Sequence, residues 1–141
     1  MGQLRTSPPP PQATELEQWV LDSPEDLRGL RASLRDALNR HGLVQGEDLD
    51  EVPHLVVLVA TELASNALRH GRPPTIITLL TTDDRFLLDV ADHDVSTVPE
   101  LTDISPMDSG GRGLFLAQSV SLDVGWYATE KTKNIWASFS R

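Results

Sequence analysis

Between His70 and Thr75 the hydrophobic period of this chain changes, and that change constrains its fold more than any other feature. Upstream, apolar residues recur at helical spacing. Leu27, Leu30, Leu34 and Leu38 lie three and four apart, the pattern of an amphipathic helix. Ser23-Pro24-Glu25-Asp26 supplies its start, with Ser23 as the cap, proline in the first turn and acids at the positive helix end. Gly42 marks its stop. Residues 50–70 predict a second helix, with Pro53 tolerated in the first turn. Val52, Leu55, Val56, Leu58, Val59, Leu63, Ala67 and Leu68 make it apolar over most of its surface. Gly71 and Pro73-Pro74 end it.

Downstream the runs are short and β-branched. Residues 75–82 and 86–91 predict a hairpin joined by Asp83-Asp84-Arg85. Residues 122–128 and 134–139 predict a second strand pair, and 16–21 one strand ahead of the helices. Leu114, Leu116, Ala117 and Val120 predict a third helix. The sum is an α+β two-layer sandwich, one sheet covered on one face by about three helices. Residues 1–14 hold Pro8-Pro9-Pro10-Pro11 and no apolar period, so a disordered tail is expected there, with the domain over 15–141.

The polar residues of the second helix cluster late, as Thr61-Glu62, Ser65-Asn66 and Arg69-His70. Glu62 and Asn66 are four apart and share one helix face. A carboxylate beside an amide oxygen suits metal-assisted phosphate chemistry, Glu62 taking a proton and Asn66 offering oxygen to Mg2+. Such a pair on its own also suits a solvated stripe. His70, one turn after Asn66, lines the same pocket or simply complements the negative helix end.

Two further segments carry chemistry. Gly110-Gly111-Arg112-Gly113 precedes the third helix, where glycines allow close backbone approach and a helix start favours anions. Arg112 adds charge for phosphates; the alternative is a plain hinge. The segment is neither a P-loop nor a dinucleotide fingerprint, because Gly-Lys-Ser/Thr is missing and a long loop precedes it. Asp92 ends a predicted strand, where a carboxylate can accept from an exocyclic amine such as that of adenine; alternatively it is a turn residue in Asp92-His93-Asp94.

Bulk numbers exclude several classes. The net charge of −9 opposes direct nucleic-acid binding and adsorption to an anionic membrane. The absence of cysteine removes disulfides, thiolate catalysis and Cys-rich zinc sites. No apolar run reaches the ~20 residues that a membrane span needs, and no secretory leader pattern opens the chain, so a cytoplasmic location is expected. At 39% apolar residues the chain can bury a core, and with 5% aromatics that core is mostly Leu, Val and Ala.

These pieces, in this order, resemble the Bergerat-fold (GHKL, histidine-kinase-like) ATPases, and among them the bacterial anti-sigma-factor serine/threonine kinases. Glu62-Leu-Ala-Ser-Asn66-Ala matches the first family box, Asp92 the adenine-binding aspartate, and Gly111-Arg112-Gly113-Leu114 the glycine box at the end of the ATP lid. Lys133-Asn134-Ile135-Trp136 is similar to the final strand, usually Gly-Lys-Thr-Val-Trp, with Asn134 replacing the threonine that helps to bind adenine. The second box, usually Asp-x-Gly-x-Gly, is here Asp92-His93-Asp94-Val95-Ser96, with both glycines replaced. The resemblance implies a mixed sheet, ATP and Mg2+ as ligands, Glu62 as catalytic base and Asn66 as the metal ligand. It implies a kinase that acts on Ser or Thr of an anti-sigma antagonist, with a sigma factor as second partner and a homodimer as assembly. Two other readings stand beside it. One is a degenerate binding module that sequesters a partner with weak or no nucleotide turnover. The other is a histidine-kinase catalytic domain served by a phospho-acceptor on another protein.

Overall fold

The computed structural model describes residues 12–42, 51–96 and 123–140. Strand β1 (Thr14–Leu21) leads through a single 3-10 turn (Pro24–Asp26) into helix α1 (Leu27–Arg40). Helix α2 (Glu51–His70) follows, then strands β2 (Thr75–Thr81), β3 (Arg85–Asp92), β4 (Asp123–Ala128) and β5 (Lys133–Ser140). Ser23 is extended, and the Asp26 carboxylate accepts the backbone N–H groups of Asp22 (2.9 Å) and Ser23 (3.3 Å), so the acidic start anticipated for α1 is used. Helix α1 stops at Gly42, whose φ of 65° suits a residue without a Cβ.

The five strands form one sheet in the order β1-β2-β3-β5-β4. A mixed sheet was expected; among the described residues every pairing is antiparallel. For β1 and β2 the reason is the helix pair between them. Two successive helices carry the chain out and back, so β2 starts at the end where β1 finished. The other hairpins, β2–β3 and β4–β5, are antiparallel by their short turns. The α+β sandwich itself forms as the hydrophobic period requires. The predicted third helix lies outside the described residues.

Both described helices cover one face of the sheet. Leu30, Leu34 and Leu38 from α1 and Val56, Val59, Leu63 and Ala67 from α2 pack on Ile77, Leu79, Leu88 and Val90. Phe86 and Phe139 stack at 5.3 Å between ring centroids beneath them. Strand β3 is central and buried on both faces, since Leu87, Asp89 and Ala91 on the side away from the helices are buried along with Leu88. No described helix is long and apolar enough to cross a membrane.

Candidate functional site

Helix α2 positions the first two residues. Leu63, Ala64 and Ala67 are buried against the sheet, which leaves Glu62 and Asn66, one turn apart, half-buried on the flank between core and solvent. Thr61 is absorbed by the helix itself, its hydroxyl donating to the Val57 carbonyl at 2.7 Å. Glu62 also lines a groove between α1 and α2, together with Arg31, Arg35, His54 and Leu58. His70 is the last residue of α2, and its side chain lies outside the described part.

The end of α2 is pressed onto the end of β3. The Gly71 N–H donates to Ala67 at 2.8 Å. A Cβ built on Gly71 would overlap Cγ of Asp92 and come within 2.7 Å of both Asp92 Oδ2 and the Ala67 carbonyl. Only glycine allows this approach. Two further bonds hold the crossing: the His93 N–H donates to the Arg72 carbonyl at 3.0 Å, and His93 Nδ1 lies 2.9 Å from the Pro74 carbonyl. The helix carrying Glu62 and Asn66 is thereby tied to the strand carrying Asp92.

Asp92 is 5% exposed. Its Oδ1 accepts the Asp94 N–H at 2.7 Å, the Arg72 N–H also donates to the carboxylate, and Lys133 Nζ stands 3.7 Å from Oδ2. Burial outweighs these partners and holds the carboxyl above the ordinary range. The Ile76–Ala91 pair puts Thr75 one step further along, beside Asp92 on the helix-covered face. Among the described residues its hydroxyl is fully buried with no hydrogen-bond partner. A buried polar group left unpaired is costly, so a ligand group that paired with it would be favoured there. A carboxylate beside an unpaired hydroxyl fits the donor and acceptor edge of a purine. The single amide oxygen of Asn66 fits Mg2+, which keeps waters and takes most of its ligands from phosphates.

Asp94 stands where the resemblance expects glycine. It accepts the Ser96 hydroxyl (2.5 Å) and N–H (3.1 Å), and these bonds hold its carboxyl below the ordinary range. Residues 92–96, which leave β3, are thus tied together by their own side chains.

Asn134 is not brought to Asp92. The β3–β5 register sets Asp92 opposite Lys133, and side chains alternate along a strand, so Asn134 faces away from the helices. There its amide donates to Asp89 Oδ1 at 2.7 Å and to the Tyr127 hydroxyl at 3.1 Å, while the Thr132 hydroxyl donates to its oxygen at 2.7 Å. Tyr127 donates to Asp89 Oδ2 at 2.6 Å. Burial raises the Asp89 carboxyl, and burial with the nearby Asp89 charge raises the Tyr127 hydroxyl. These bonds engage Asn134 on the face away from Asp92, so the structure does not bring it to the carboxylate beside which an adenine role was expected. The residue facing Asp92 is Lys133. The turn at 129–132 fixes only the β4–β5 pairing, so no local signal gives the register of β5 on β3.

The structure therefore ties the helix that carries Glu62 and Asn66 to the strand that carries Asp92 at Gly71, and it sets Thr75 and Lys133 beside Asp92. Gly111, Arg112, Gly113 and Leu114 lie outside the described residues. The family model of the histidine kinase-like ATPase domain matches residues 20–139. No curated protein matches the chain.

Proposed function

Because the chain belongs to the histidine kinase-like ATPase domain family, we propose that it binds ATP with Mg2+ and phosphorylates Ser or Thr of a partner protein as an anti-sigma-factor kinase. The observation that carries this reading is the Gly71–Asp92 crossing, which ties a buried carboxylate to the helix bearing Glu62 and Asn66. Asp92 accepts the adenine amine, with Thr75 offering its unpaired hydroxyl to the same edge. Asn66 holds the metal. When bound, ATP would supply its γ-phosphoryl group with ADP as the leaving group, and Mg2+ held at Asn66 would neutralise charge on the phosphates. A Glu62 carboxylate oxygen takes the proton of the incoming hydroxyl. Gly111, Arg112, Gly113 and Leu114 are assigned to the phosphates by sequence alone, and His70 to the same pocket. The groove that Glu62 lines supports a protein substrate, since Arg31 and Arg35 in its lining suit an acidic partner surface. A sigma factor and its antagonist as partners, a homodimer and a cytoplasmic location belong to the same proposal.

A second reading, a module that sequesters a partner without turnover, is favoured by the Asp94–Ser96 closure and by Lys133 at Asp92. Calorimetric titration with ATP, with and without Mg2+, separates the two when followed by transfer of labelled phosphate. Mg2+-dependent binding with transfer to a co-purified antagonist upholds the kinase. Binding without transfer favours the module, and no binding at millimolar ATP refutes the nucleotide site.

A further inference from the structure

Resting on the ATP reading above, we propose that Lys133 is a built-in competitor for the nucleotide base, its ammonium occupying the edge of Asp92 that the adenine amine must take. Asp92 and Lys133 are direct partners in the β3–β5 ladder and face the helix-covered side together. Their side chains are 7% and 12% exposed, with Nζ 3.7 Å from Oδ2. Two backbone donors are already in place: Oδ1 takes the Asp94 N–H at 2.7 Å and the Arg72 backbone donates as well. Gly71 packs so close that a Cβ there would come within 2.7 Å of Oδ2, which narrows the approach from that side. Of about four lone-pair sites on a carboxylate, the two N–H groups and the ammonium take three, so the amine of adenine competes with the ammonium for what remains.

Charge decides the contest. A neutral amine makes a weaker bond to a carboxylate than a cation does, and the difference grows in a site this dry. The 3.7 Å separation is nevertheless longer than a tight N–H···O bond. Lysine carries its charge on a flexible four-carbon stem. The ammonium can therefore leave without rupture of the strand, and Lys133 lowers affinity without abolishing the site. Lys133 is in this sense a positioning residue, setting what Asp92 is free to accept.

The test uses the full chain and two nucleotides. ATP and purine riboside triphosphate differ at one place, the exocyclic amine, which the second lacks. Calorimetry gives the affinity of each for the wild type, Lys133→Thr and Lys133→Gln. The readout is the ratio of the two affinities, which cancels any general effect of removing a positive charge near phosphates. The ratio favouring ATP should rise about tenfold in both variants, the worth of a charge-assisted contact of this class. Lys133→Arg, which keeps the charge, should hold the wild-type ratio. Lys133→Gln preserves length, so it serves if the threonine variant fails to fold. An unchanged or reduced ratio overturns the proposal, because Lys133 would then be neutral or a donor to the base. ATP binding that appears only in the variants upholds it. If no form of the protein binds either nucleotide, the ATP reading itself fails and the inference with it.

Discussion

Replacing Gly71 by alanine should destabilise the protein, although alanine is the better helix former. The backbone at 71 is not in the left-handed region, so a side chain meets no conformational barrier there. Reduced freedom of the unfolded chain alone would stabilise by about 0.4–1 kcal/mol. Against this stands the space. The new Cβ would overlap Asp92 Cγ and lie 2.7 Å from the Ala67 carbonyl. That carbonyl accepts the Gly71 N–H at 2.8 Å and cannot retreat without loosening the last helical turn. Asp92 cannot swing away without losing the Asp94 N–H and Lys133. Overpacking of this kind costs roughly 1–3 kcal/mol, so a net loss of about 1–2 kcal/mol is expected. Gly29→Ala is the matched control. It sits in exposed α1 with nothing within 4 Å of the new carbon, and should stabilise by about 0.5–1 kcal/mol. Urea denaturation measures both. ATP affinity should fall with Gly71→Ala and stay unchanged with Gly29→Ala. Equal and positive effects of the two alanines would refute the crossing of α2 on Asp92.

Asn66→Ala should remove most of the Mg2+ dependence of ATP binding, whereas Glu62→Gln should leave binding within about twofold and lower phosphate transfer by about a hundredfold or more; equal loss of binding in both would show the roles misassigned. Tyr127→Phe removes the hydroxyl that donates to buried Asp89 at 2.6 Å, and a loss of about 1–3 kcal/mol is expected by thermal or urea unfolding. Asp89 carries a carboxyl raised by burial, so the native state holds that proton more tightly than the unfolded chain does. Its contribution to stability therefore falls as pH rises from about 4 through the raised value. Urea midpoints across that window should decline more steeply for the wild type than for Asp89→Asn, and identical slopes would contradict the assignment.

The elements were legible because their signals are local. Leucines three and four apart state a helix wherever the chain lies, and Gly71 with Pro73-Pro74 states its end. All five strands fall within two residues of their predicted bounds, and Asp92 stands at the end of β3 as expected. The Glu62–Asn66 flank was equally legible, since residues four apart on a helix are neighbours whatever surrounds them. The face that Asn134 takes was not legible, for the opposite reason. A strand shifted by one residue turns every side chain to the other face, and register is set by the partner strand. Gly71 was read as a helix terminator, which it is, while its second task depends on a residue at position 92.

Sequence alone thus determined which segments are helix and strand, that they make a two-layer α+β domain, and that α2 presents a carboxylate and an amide together. Tertiary structure alone decided that Gly71 abuts Asp92, that Thr75 is buried with an unpaired hydroxyl, and that Lys133 rather than Asn134 faces the carboxylate. The division follows from distance along the chain. Periodicity and capping act within a few residues, whereas contacts such as 71 with 92 and 92 with 133 exist only after the sheet has closed and its register has chosen a face for each side chain.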